Sequence, residues 1–273
     1  RIKTIELPSK KGIIFLGPRG IAINSSGIIY VTQPVDNTIL TYTDDGVPGR
    51  ILNLPVQPGK NQYPGPIVHD REDNLYCIES GSGHLLKYNP QGNLTADWSP
   101  DDLGLIGGKI PFDICMGPDD NLYITSLSSN TIQIIDTTGK IAGQEMIPVS
   151  GIISPRIAIS PQGEIFIGDS MLHRVYRILK TDREPGSQDQ SETTQYRISL
   201  RVSPTEPVDH PVIHIEPEKV NVAGLNFPTH LLVTDDEKIF ISSHNNHRVV
   251  CTTNHGTIIR IIDNSSIPDG RFN

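Results

Sequence analysis

Five copies of one short phrase run through this chain of 273 residues, and that repetition restricts its fold more than any other feature. The first copy reads Pro18-Arg-Gly-Ile-Ala-Ile-Asn, a Ser26-Gly27 turn, Ile28-Ile-Tyr-Val-Thr-Gln, then Asp36-Asn-Thr-Ile-Leu-Thr-Tyr42. The second has Pro64-Gly-Pro-Ile-Val-His, an Asp73-Asn74 turn, Leu75-Tyr-Cys-Ile-Glu and Gly83-His-Leu-Leu-Lys-Tyr88. Pro111-Phe-Asp-Ile-Cys-Met, Ser154-Pro-Arg-Ile-Ala-Ile-Ser and Phe227-Pro-Thr-His-Leu-Leu-Val open the other three. Each copy places an aromatic at one register, Tyr30, Tyr76, Tyr123, Phe166 and Phe240, in steps of 46, 47, 43 and 74 residues.

Short alternating apolar runs broken by Gly, Asn or Asp, repeated every forty-odd residues, describe a small antiparallel sheet rather than a helical array. One such sheet cannot bury both of its faces. Stacking several radially does, and leaves only short edges exposed, which is the logic of a β-propeller. The first strand of each blade is expected innermost, and the aromatic of the second between blades. Gly46, Gly92, Gly139 and Gly256 are expected to turn into the outer strand through two-residue hairpins that need positive φ.

The pattern Pro-x-x-Ile/Leu, turn, Ile/Leu-Tyr/Phe-Val/Ile, then Asn-x-x-Val/Ile resembles NHL repeats, with Asn246-His247-Arg248-Val249 the nearest to the segment behind that name. The resemblance covers about residues 13 to 262 apart from one insert. It implies an all-β fold, a propeller of NHL type with five recognisable blades, and a six-bladed ring in which one blade is degenerate, inserted or truncated. Proteins similar to this include ubiquitin-ligase subunits, RNA-binding regulators, sensor domains and a peptide-amidating lyase, so the fold does not select a function. The amidating lyase combines several channel histidines with a metal and disulfide-rich blades, and few of those residues have counterparts here. The streptogramin-lyase run Trp-Phe-Thr-Glu is replaced by Tyr-Val-Thr-Gln or Tyr-Ile-Thr-Ser.

The blades are expected at 13–58, 59–105, 106–150, 151–181 and 222–262, with residues 1–12 a closing strand, all in one domain. The insert 182–221 begins as a polar run and continues into the strand-like Tyr196–Val202 and Val212–Ile215. It reads as an extended outer hairpin on blade four, or else as a degenerate extra blade. The chain lacks an initiating Met and a signal-peptide pattern, which suggests processing or excision from a longer protein.

A net charge of −8 argues against a broad nucleic-acid surface, which needs clustered Lys and Arg. No stretch approaches the roughly 20 apolar residues that span a bilayer. Of Cys77, Cys115 and Cys251, the first two read as small buried thiols inside strands of adjacent blades, with a disulfide between them the alternative, and the odd number leaves one unpaired in any pairing scheme. Sequons occur at Asn24, Asn93 and Asn264. No phosphate loop, dinucleotide fingerprint or Gly-x-Ser-x-Gly appears.

Two rings of positions carry the candidate chemistry. Two residues after the repeat's Pro, whose place Ser154 takes in the fourth copy, stand Gly20, Pro66, Asp113, Arg156 and His230, which are expected to face the channel. Asp113, Arg156 and His230 could converge on an anion, or His230 and Asp113 could share a divalent metal, although a catalytic zinc site wants three protein ligands. Three residues after the aromatic stand Gln33, Glu79, Ser126, Asp169 and Ser243. Glu79 and Asp169 could act as acid and base, yet carboxylates at turns commonly hold backbone amides instead. His247 takes the place held by Asn37, Asn130 and His173, which points to a turn role.

The reading that follows is a non-catalytic scaffold that binds a protein or peptide on one face. The alternative is a metal-dependent lyase or hydrolase acting in the channel. RNA binding through a local basic face is third.

Overall fold

The structure, a computed structural model, describes residues 18–55, 62–147, 151–181, 195–202 and 225–263. Among these, five four-stranded sheets account for the regular structure, and two one-turn 3-10 segments are its only helices. The first sheet comprises β1 (Ile21–Ile23), β2 (Ile29–Gln33), β3 (Thr38–Tyr42) and β4 (Pro48–Asn53). The second comprises β5 (Pro64–His69), β6 (Leu75–Glu79), β7 (His84–Tyr88) and β8 (Leu94–Trp98). The third comprises β9 (Pro111–Met116), β10 (Leu122–Ser126), β11 (Thr131–Ile135) and β12 (Ile141–Met146). The fourth comprises β13 (Pro155–Ile159), β14 (Ile165–Asp169), β15 (Arg174–Thr181) and β16 (Gln195–Val202). The fifth comprises β17 (Pro228–Val233), β18 (Lys238–Ser243), β19 (Arg248–Thr253) and β20 (Ile258–Asp263).

Every sheet is a meander in chain order, antiparallel throughout its described pairings. The fourth strand of sheet four lies inside the insert, at residues 195–202, where Val175 pairs with Val202 and Thr181 with Gln195. Residues 1–12, Val212–Ile215, Asn264 and the tail lie outside the described residues.

Period-two alternation explains how the sheets stack. All of β6, Leu-Tyr-Cys-Ile-Glu, is buried, but its alternate residues face opposite ways. Leu75 and Cys77 join Tyr30, Ile39, Leu52 and Ile67 in a core shared with the first sheet. Tyr76 and Ile78 join Leu103, Ile114, Leu122 and Ile124 in a core shared with the third. Sheets four and five repeat the arrangement, with Phe166 and Val175 packed on Leu231, Ile239 and Val250. The aromatic register is fully buried at Tyr76 and Phe166 and only half-buried at Phe240.

Outer strands interlock through the turn glycines. Gly46, Gly92, Gly139 and Gly256 all have positive φ, at 82°, 82°, 88° and 84°. A Cβ on Gly139 would stand 2.2 Å from Cε2 of Trp98, so β8 packs directly over the bare turn of the next sheet. Leu52 covers Gly92 in the same way. The turns differ from expectation: Gly139 N–H donates to Asp136 O and Asp136 N–H to Lys140 O, the pattern of a turn followed by a left-handed bulge residue. The Asp136 side chain explains the choice, because its Oδ1 accepts the N–H groups of Thr138 and Lys140 at 2.8 and 3.0 Å.

The described residues group into two compact units. One takes those up to Leu127 together with Ile132–Glu145, and the other takes Ser128–Thr131 and those from Met146 onward.

Candidate functional site

In sheets two, three and five the loop that leaves the second strand folds back on the residue that enters the first strand. Ser80 N–H donates to Tyr63 O at 2.9 Å, Leu127 to Ile110 at 3.1 Å and His244 to Phe227 at 3.2 Å. One surface of each of these three sheets therefore consists of a strand entrance and a loop tied together. The candidate residues sit around this junction.

Glu79, at the end of β6, is buried and saturated. Its Oε1 accepts the N–H groups of Tyr63 (2.6 Å) and Gly81 (2.8 Å), and its Oε2 accepts Ser82 N–H (2.7 Å) and the Ser82 hydroxyl. Asp169 holds the same place on β14 and accepts Met171 and Leu172 N–H on Oδ1, at 2.9 and 3.1 Å. It is fully buried, and its Oδ2 has no hydrogen-bond partner. Aspartate is one methylene shorter than glutamate, which accounts for an oxygen that stops short of the strand entrance. In sheet five Ser243 Oγ accepts Asn226 N–H at 2.9 Å, and Ser126 Oγ in sheet three is buried without a partner. Gln33 is buried and engaged.

The inner-strand positions diverge. In the first unit Gly20, Pro66 and Asp113 are all buried, and Asp113 pairs across the sheet with Thr125. In the second unit Arg156 is half-buried opposite Gly168, and His230 is exposed opposite Ser242. Gly168 keeps room for its neighbours, since a Cβ there would stand 3.5 Å from Arg156 Cβ and 3.2 Å from Leu231 Cδ1. Among the described residues, no three His, Cys, Asp or Glu side chains lie close enough to share a metal ion. Among the described residues, then, no donor set fits a zinc centre of three protein ligands.

His247, Asn37 and His173 are left-handed, at φ 49°, 55° and 57°, whereas sheet three uses Ser128 (φ 51°) instead of Asn130. His173 does more than turn the chain: its Nδ1 accepts Phe227 N–H at 2.8 Å, and Ser170 donates its hydroxyl to Pro228 O. Sheet four thus holds the entrance of sheet five.

A feature absent from the sequence reading lies on the loop surface of sheets two and three. Ile106, Ile110 and Leu127 are 76%, 45% and 38% exposed. Leu127 is tied to Ile110, and the space beside Gly83 is bounded by Pro100, Pro111 and Ile110 at 3.1, 3.1 and 3.8 Å from its would-be Cβ. Beside them His84 Nδ1 meets Asp97 Oδ1 at 2.6 Å. The signal in the sequence was Ile106-Gly-Gly-Lys-Ile110, an apolar residue carried on two glycines that both have positive φ and open space around them. All three cysteines are free, with burial pushing the Cys77 thiol up to about 12. No helix among the described residues is long and apolar enough to cross a membrane.

No protein-family model and no curated protein sequence matches the chain. Solved structures match in fold. Virginiamycin B lyase from Staphylococcus aureus aligns with TM-score 0.59 at 17% identity, over 91% of this chain and 70% of that one. The Swd1 β-propeller domain of Myceliophteria thermophila aligns with TM-score 0.57 at 13% identity, over 90% and 73%. A chain of the nidogen/laminin complex aligns with TM-score 0.61 at 13% identity, over 92% and 81%. The fold is an all-β propeller, with five blades among the described residues.

Proposed function

We propose that this chain is a non-catalytic, NHL-type propeller module that binds a protein or peptide on the loop surface of blades two and three. The observation that carries the reading is the exposed apolar pair Ile110 and Leu127, hydrogen-bonded through their backbones, with the exposed Ile106 four residues before Ile110 on the same loop. Large exposed side chains gathered at one place mark interaction sites, while singly scattered ones do not. The strand-end side chains support the same reading, because Glu79 and Ser243 are used to hold loops. The nidogen/laminin complex places a fold of this kind in a protein assembly.

The test is selection of a short-peptide display library on the purified protein, followed by rebinding to the Ile106→Asp/Ile110→Asp variant. Binders that lose at least about tenfold in affinity on the variant are expected. Recovery only of binders that ignore the variant, or of none, overturns the reading.

A second reading, a channel enzyme in the second unit, draws on the lyase fold and on the unpartnered Oδ2 of Asp169. Elemental analysis of the native protein and of His230→Ala tests its metal-dependent form. A stoichiometric divalent ion that is lost in the variant would support it, and no ion in either would remove it.

A further inference from the structure

We infer that the partner segment seated on this loop surface is cationic as well as apolar: an aliphatic or aromatic anchor next to Lys or Arg. The inference rests on the binding surface proposed above and adds the chemistry of its occupant.

The argument is one of charge complementarity. Pro100, part of the apolar floor, is followed directly by Asp101 and Asp102, and both are exposed. Asp102 accepts Ser99 N–H at 2.9 Å and the Ser99 hydroxyl at 2.7 Å, which holds its carboxyl below the usual carboxylate range and keeps it charged. Asp97, also exposed, lies two residues before Ser99 and meets Nδ1 of His84 at 2.6 Å. Lys109, on the same loop as Ile106 and Ile110, already has a partner within the chain. The apolar Pro100 is thus followed directly by two exposed carboxylates, Asp101 and Asp102, in a chain whose net charge is −8.

The two halves of the surface do different work. Desolvation of an anchor on Ile106, Ile110, Pro100 and Leu127 supplies affinity, because a few buried apolar residues dominate most interfaces. The carboxylates of Asp101 and Asp102 add little affinity each. They raise the encounter rate of a cationic segment and repel an acidic one. Gly83 holds the floor together: Pro100 and Pro111 close in to 3.1 Å of where its Cβ would stand, so the two prolines and Ile110 pack against a bare backbone.

The experiment uses peptides recovered from the display selection, made synthetically and titrated by fluorescence anisotropy against the full chain. The expected consensus has an apolar anchor within a few residues of Lys or Arg. Raising salt from about 50 mM to about 300 mM should weaken binding several-fold, since exposed charges are screened over this range. Asp101→Lys should weaken it about three- to tenfold and reduce the salt dependence, while Ile110→Asp nearly abolishes it. A neutral or acidic consensus, or affinity indifferent to both salt and Asp101→Lys, overturns the inference and leaves the binding surface standing. Peptides that bind Ile110→Asp as well as the native chain overturn both. Thermal melts of each variant guard against unfolding, and because every substituted residue is exposed, melting temperatures close to native are expected.

Discussion

Nδ1 of His173 accepts the backbone N–H of Phe227 at 2.8 Å, so a side chain in the turn of blade four holds the first residue of the blade-five entrance. Phe227 itself is left-handed at φ 57°, a conformation that a bulky residue adopts only where its surroundings impose it. Three bonds impose it: the one from His173, the one from His244 N–H to Phe227 O, and the Ser170 hydroxyl on Pro228 O.

His173→Asn should therefore lower the unfolding free energy by about 1–2 kcal/mol, because Asn accepts the left-handed backbone but its shorter side chain forfeits the bond. His247→Asn, at the equivalent turn, should change stability by less than about 0.5 kcal/mol. Urea unfolding of the two variants separates a bonding role from a turn role.

His69 offers a pH dependence. Its ring meets Tyr30 at 4.5 Å between centroids, and neither ring nitrogen has a hydrogen-bond partner. Burial lowers its pKa from an ordinary value of 6.5, outweighing the opposing pull of Asp73 and Asp70. The unfolded chain then binds the proton more tightly than the folded one, so stability is full above that ordinary value and falls as the pH drops below it. Unfolding midpoints of native protein and His69→Gln, compared between about pH 7.5 and about pH 5, should show the flatter profile in the variant.

Gly139→Ala should destabilise by about 2–4 kcal/mol, combining a left-handed alanine with a collision against the Trp98 ring. Gly27→Ala meets open space at φ 78° and should cost only about 1 kcal/mol. A thermal-melt comparison shows how much of the cost at Gly139 comes from contact with the neighbouring blade and how much from backbone strain alone.

Glu79→Gln should lose about 1–3 kcal/mol of stability, since an amide nitrogen cannot accept the N–H groups that both carboxylate oxygens now hold. Peptide binding at the Ile110 surface should stay within about twofold of native once the protein is folded. A selective loss of binding with unchanged stability would mean that Glu79 touches the partner.

The propeller class was legible in the amino-acid order because it rests on local repetition: a strand period of two, an aromatic at one register, and glycines where φ must be positive. Those signals involve residues close in sequence, and the same chemistry recurs in every copy. The candidate site was only partly legible. Glu79 and Asp169 share a register, yet one is saturated by four donors and the other keeps a bare oxygen, a difference of one methylene that shows only against the strand entrance it must reach. Ile110 and Leu127 look like two ordinary apolar residues until a hydrogen bond between their backbones sets them side by side near Pro100 and Gly83. Sequence alone therefore determined that this chain builds blades. Which residues those blades consume in holding themselves together, and which they leave facing solvent, was decided by contacts between residues far apart in the chain, and such proximity exists only once the sheets have packed.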